Sequence, residues 1–210
     1  MNKKILWICL ILFIISILFT QNLFAGIPQA PNGYSGSQNS LQEFKRRYNE
    51  IKNDREIDGN FGSYAGSQYT LAEFKSRFLE IRYDEEFNRM AGDASWLFYG
   101  SYAGSQNSLN EFKRRFNEIS NDSEFNSIYG GAYYFYGYYY GYYAGSQNSL
   151  QEFKRRFDEI RNDSEFIINS NHDPYGFFGY YAGSQNSLQE FRRRFEEIRN
   201  DKEIENSTFY

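Results

Sequence analysis

Few residues in this chain are of a type and spacing that could do chemistry. His172 is the only histidine and stands in Asn171-His172-Asp173-Pro174, a turn composition. Without a second histidine, a cysteine or a positioned serine, its imidazole has no partner for general-base work or metal binding. The only cysteine, Cys9, lies in an apolar N-terminal run. A disulfide scaffold, a thiol enzyme and a cysteine-ligated metal are therefore excluded. Carboxylates are numerous, yet no aspartate-rich calcium loop, phosphate-binding glycine loop or nucleophile elbow appears. No catalytic, cofactor-binding or metal-binding residue is nominated, and the expectation is a non-enzyme with no cofactor.

Two other groups carry chemistry of a looser kind. Tyrosines recur at Tyr34, Tyr64, Tyr102, Tyr143 and Tyr181 and crowd a tract containing Tyr133, Tyr134, Tyr136, Tyr138, Tyr139 and Tyr140. Phenol rings stack on other rings, on arginine planes or on sugar faces, so these are the candidate contact residues. Basic runs end at Arg47, Arg115, Arg156 and Arg194. In an exported chain such runs are candidate processing sites. Three N-glycosylation acceptor patterns begin at Asn121, Asn162 and Asn206.

These residues are positioned by a repeat. Five blocks of 24 residues occupy 34–57, 64–87, 102–125, 143–166 and 181–204, and twelve positions are identical in all five. The pattern is Y-x-G-S-Q-x-x-L-x-E-F-x-x-R-x-x-E-I-x-x-D-x-E-x. Spacers of 6, 14, 17 and 14 residues separate the blocks. A regular solenoid needs a near-constant period, so variable spacers speak against one.

Inside each block, Ser40, Thr70, Ser108, Ser149 or Ser187 stands three residues before a glutamate. That spacing predicts a helix N-terminus closed by a capping box. Apolar residues follow at steps of three, four and three, as in Leu150, Phe153, Phe157 and Ile160. They form a narrow stripe along one helix face. The capping glutamate also precedes an arginine by four residues, predicting surface pairs such as Glu43–Arg47 and Glu152–Arg156. The helices are expected to stop near Asn53, Tyr83, Asn121, Asn162 and Asn200. Each is too short to stand alone in water.

The fold class expected is mainly α: five short amphipathic helices gathered in a loose cluster, joined by aromatic and glycine-rich segments that are extended or disordered. The aromatic residues ahead of each cap favour an extended strand. Their glycines imply either a turn of unusual backbone angle or a close backbone approach. The segment 126–142 reads as a Tyr/Gly-rich low-complexity spacer.

Residues 1–25 read as a signal peptide: Lys3 and Lys4, an uncharged run from Ile5 to Phe19, and Ala25 at the cut. The apolar run is shorter than a bilayer-spanning helix, so a cleaved product is not membrane-spanning. Without it, 185 residues remain with a net charge of −6, of which 38 are Tyr or Phe. The acidic balance speaks against nucleic acid.

The function expected is an exported, non-enzymatic repeat protein, secreted or at the cell surface. It would act by multivalent self-association or by attachment to a surface or matrix component. Alternatives are a secreted precursor cut at the basic runs and an aromatic protein binding a polysaccharide.

Overall fold

The computed structural model describes residues 29–51, 54, 56–57, 61–129, 136–164 and 174–201. The signal segment, Tyr133, Tyr134, His172 and the acceptor pattern at Asn206 lie outside them. In chain order the helices are α1 (Gln29–Gly36), α2 (Leu41–Ile51), α3 (Phe61–Gly66), α4 (Leu71–Arg82), α5 (Glu85–Ala91) and, after a 3₁₀ segment (Gly92–Phe98), α6 (Tyr99–Ala103). They continue with α7 (Leu109–Ser120), α8 (Ser123–Tyr129), α9 (Tyr136–Gly145), α10 (Leu150–Arg161), α11 (Pro174–Gly183) and α12 (Leu188–Arg199). No strand occurs among the described residues.

The capped helices of the sequence pattern are α2, α4, α7, α10 and α12. Each begins with the hydroxyl accepting from the glutamate amide three residues on, at 3.2 to 3.3 Å. The C-caps Tyr83, Asn121, Asn162 and Asn200 fall where the sequence places them. Only α4 closes the reciprocal half of the box, with the Thr70 amide donating to Glu73 at 2.9 Å. In the other four blocks the glutamate is held by an arginine three residues on, as Glu111 by Arg114 at 2.8 and 2.9 Å. Block two has Ser76 at that position, which leaves Glu73 free to reach back.

The segments ahead of the caps are not extended arms. They form a second set of helices, α1, α3, α6, α9 and α11, even where the sequence reads YGYYYGYYAG. These five pack side by side in a cycle, α1 on α3, α3 on α6, α6 on α9, α9 on α11 and α11 back on α1. Each capped helix packs on the inner helix of the next block, and α12 of block five packs on α1 of block one. The molecule is thus a closed ring of five helix pairs, compact and all-helical, rather than a loose cluster. Variable spacers are tolerated because the excess chain folds into elements of its own between blocks, such as the 3₁₀ segment, whose Phe98 packs on Phe116 of block three at 4.8 Å.

The predicted stripe is the core. Phe112, Phe116 and Ile119, with their equivalents in the other blocks, are buried, and the leucine one turn earlier is partly covered. Blocks two and three then turn at the aspartate that all five copies share and start another short helix, α5 and α8. Asp84 and Asp122 accept from the amides of Phe87 and Phe125, each at 2.6 Å. This returns the last aromatic residue of the block to the interior of its neighbour: Phe87 meets Phe116 with ring centroids 5.3 Å apart, and Phe125 meets Phe157 at 5.7 Å. Hydrophobic clusters are therefore shared between blocks.

Candidate functional site

The repeated chemistry of the chain is concentrated at the joints between blocks. At the joint of blocks three and four, Arg115 reaches from α7 to the C-terminal end of α9. Its guanidinium donates to the Tyr143 carbonyl at 2.9 Å, the Ser146 hydroxyl at 3.0 Å and the Asn148 carbonyl at 2.6 Å. It also lies over the Tyr143 ring at 4.1 Å. The last carbonyls of a helix lack intrahelical partners and carry the negative end of its dipole. A cation from the neighbouring block caps them, which is why an arginine only 7% exposed sits here without a buried carboxylate. Asn107 completes the cap by donating to the Ala144 and Ser146 carbonyls at 2.7 and 3.0 Å.

The same set recurs around the ring. Arg47 and Arg156 hold the next block's tyrosine carbonyl at 3.0 and 2.9 Å. Arg194 does so for Tyr34 of block one at 3.1 Å. Block two differs in carrying Tyr69 where the others have asparagine. There Arg77 covers the Ala103 and Ser105 carbonyls itself, at 3.3 and 3.0 Å, and packs on the Tyr69 ring. The Ser105 hydroxyl, which elsewhere accepts from the arginine, is left without a partner.

The leading tyrosines expected as surface contacts are withdrawn from the surface. Tyr34, Tyr64, Tyr102, Tyr143 and Tyr181 are each 1% exposed. Each packs edge-on against the phenylalanine of its own block, as Tyr143 against Phe153 at 5.4 Å. Each hydroxyl donates back to the preceding block's glutamate: Tyr64 to Glu50 at 3.0 Å, Tyr143 to Glu118 at 2.8 Å, Tyr181 to Glu159 at 2.8 Å, Tyr34 to Glu197 at 2.6 Å, and Tyr102 to Glu80. In the tract, Tyr139 is buried against Phe157 and Tyr140 donates to Asn126 at 2.7 Å. Tyr136 and Tyr138 lie in α9, their side chains outside the description. Only Tyr83 and Trp96 among the described rings are large exposed aromatics.

The arginines Arg47, Arg115, Arg156 and Arg194 are corrected likewise. Their contact with the capping glutamate is marginal, 4.0 Å for Arg47 and 3.9 Å for Arg194. The surface pairs belong to the preceding arginine. As processing sites they lie inside helices with the side chain buried, so the folded ring offers a protease no extended segment there.

Burial, together with the hydrogen bond to a carboxylate, raises the pKa of all five tyrosines, that of Tyr34 and Tyr64 to about 12. The folded state then holds these protons more tightly than the unfolded chain does. The stability they add is present in full below the ordinary tyrosine value near 10 and is lost as pH climbs through the raised one. The urea midpoint should fall between about pH 9 and about pH 11.5, and Tyr143→Phe should flatten that slope. A midpoint constant over this range would contradict the burial.

Where the five inner helices meet, a cavity of about 160 Å³ runs along the axis. Its lining is glycine and serine, with Tyr142 and Tyr180 on one side, their ring centroids 4.3 Å apart and their planes inclined by 41°. No charged side chain faces it. Among the described residues no three His, Cys, Asp or Glu side chains converge as a metal site requires.

The sequence signal that points to the joints is the set of twelve identical positions. Block two has diverged at Tyr69, Ser76, Leu79 and Tyr83 yet keeps all twelve. The tyrosine, glycine, arginine, second glutamate and aspartate of the pattern act across a joint, as do the serine and glutamine side chains in every block but the third, and each block meets the next through them. Comparison of the chain with protein-family models, with curated proteins and with solved structures finds no match.

Proposed function

We propose that the chain is an exported, non-enzymatic scaffold that attaches at a cell surface or extracellular matrix by multivalent contact. What supports this reading is the repeated outward face of the ring. Four capped helices carry the same exposed ladder, in which one arginine bridges two glutamates: Glu43–Arg46–Glu50, Glu111–Arg114–Glu118, Glu152–Arg155–Glu159 and Glu190–Arg193–Glu197. Each bridge is 2.7 to 2.8 Å to the capping glutamate and 3.3 to 3.4 Å to the other. Such exposed pairs add little stability. Held on a rigid ring, they offer a repetitive partner several identical contacts at fixed spacing, and avidity then exceeds the affinity of any one.

The test is a wall and matrix pull-down with the intact protein, alongside sedimentation over a concentration series. Retention should fall at least about tenfold when Arg46, Arg114, Arg155 and Arg193 are all changed to glutamine, through the loss of avidity. A protein that sediments as a strict monomer and binds neither material refutes the reading.

A further inference from the structure

The ring closes through a joint that no peptide bond spans. Blocks one and five are joined by the same arginine, tyrosine, serine and asparagine as every other joint except that of blocks two and three. Arg194 donates to the Tyr34 carbonyl and, at 3.0 Å, to the Ser37 hydroxyl, and its guanidinium lies 4.0 Å from the centre of the Tyr34 ring. Asn186 donates to the Ser35 carbonyl at 2.8 Å, and Gln38 donates back to Asn186 at 2.8 Å. Lys45 pairs with Asp201 at 2.9 Å, as Lys154 pairs with Asp122 at 2.7 Å. Ile198 of block five is buried in the cluster formed by Tyr34, Phe44 and Tyr48.

From this we infer that the seam is an interaction surface for a second copy of the same chain. Block five of one molecule takes the place of block five in another ring and is replaced in turn by its partner's. Every joint in the exchanged dimer is one that the closed monomer already makes, so the exchange adds no new contact and loses none. Block five is the half that moves, because 14 residues separate it from block four whereas 6 separate blocks one and two. Within one chain the tether gives the seam a high effective concentration, so the monomer prevails when dilute and exchange grows with protein concentration during refolding. This inference does not rest on attachment through the outward ladders, of which only Glu197 reaches the seam, where it accepts from the Tyr34 hydroxyl at 2.6 Å.

The seam charges allow a complementation test. Lys45→Asp sets like charges at the seam within its own ring, and so does Asp201→Lys. In an exchanged dimer of the two variants, both seams are matched again. Each variant should keep the helical circular dichroism of the parent, since the change lies at one partly exposed pair. The two are refolded together from urea at high protein concentration and separated by size exclusion with light scattering. The mixed dimer should exceed the dimer formed by either variant alone by roughly fivefold or more, the scale of one ion pair per seam. A mixture with no more dimer than its components overturns the inference. So does a dimer that forms equally when Lys45→Asp is paired with itself. Failure of the pull-down would leave this result untouched, and the converse holds.

Discussion

Arg115→Met should lower the stability of the ring by about 3–5 kcal/mol, because several buried neutral acceptors lose a charged donor at once. The guanidinium satisfies three acceptors at the end of α9, the carbonyls of Tyr143 and Asn148 and the hydroxyl of Ser146. Methionine fills much of the same volume but donates to none of them, and each buried acceptor left bare costs about 1–3 kcal/mol. The stacking of the cation on Tyr143 is lost as well. Asn107 still holds the Ala144 and Ser146 carbonyls, which keeps the loss below the sum. Arg115→Lys should rescue little, because one ammonium cannot reproduce a planar fork that spans three acceptors.

The neighbouring Arg114 is the control. It is 59% exposed and bonds only glutamates of its own helix, so Arg114→Met should change stability by less than about 0.5 kcal/mol. Urea denaturation followed by circular dichroism separates the two. Equal effects at Arg114 and Arg115 would mean that the arginine does not act across the joint. The wild-type protein would then resemble the picture drawn from local sequence, in which Arg115 belongs to a surface pair with Glu111.

That picture shows where local sequence is informative. The capped helices were legible because two independent local signals, a hydroxyl three residues before glutamate and a stripe at helical spacing, agree at one register in five copies. The inner helices were not. Aromatic residues favour strands and glycine disfavours helix, so YGYYYGYYAG reads against the structure it adopts. Tertiary packing overrides that preference, since glycines let five helices approach around a common axis and tyrosines fill the joints between them. The double meaning of arginine was hidden for a related reason. Its spacing from glutamate fits a surface pair, and nothing local reveals that a neighbouring helix ends within its reach. Ring closure is non-local altogether, because Tyr34 and Arg194 lie 160 residues apart.

Gly145→Ala tests the packing around the axis, and its expected sign is opposite to what helix propensity alone predicts. In an exposed helix interior, alanine is better than glycine by about 1 kcal/mol. Here the backbone angle is not the issue: of the described glycines only Gly92 has a positive φ, 66°. A Cβ on Gly145 would lie 2.9 Å from the Ser101 carbonyl oxygen and 3.3 Å from the Ser105 Cβ. Backbone cannot rotate away as a flexible side chain does, so α9 and α6 must separate. The substitution should destabilise by about 1–3 kcal/mol. The equivalent glycines grade the effect. Gly66 is the tightest, with its Cβ 2.7 Å from the Gly33 oxygen, and Gly183 matches Gly145 at 2.9 Å from that of Tyr142. Gly104 has 3.0 Å to Ser63, and Gly36, at the seam, has 3.3 Å to Tyr180. Urea midpoints of the five alanine variants should fall in that order, with Gly66→Ala lowest and Gly36→Ala nearest the parent. A looser fit at Gly36 means that the seam is the joint best able to yield, as exchange of block five requires. Midpoints at or above the parent for Gly66→Ala and Gly145→Ala would show that the inner helices do not meet backbone to backbone.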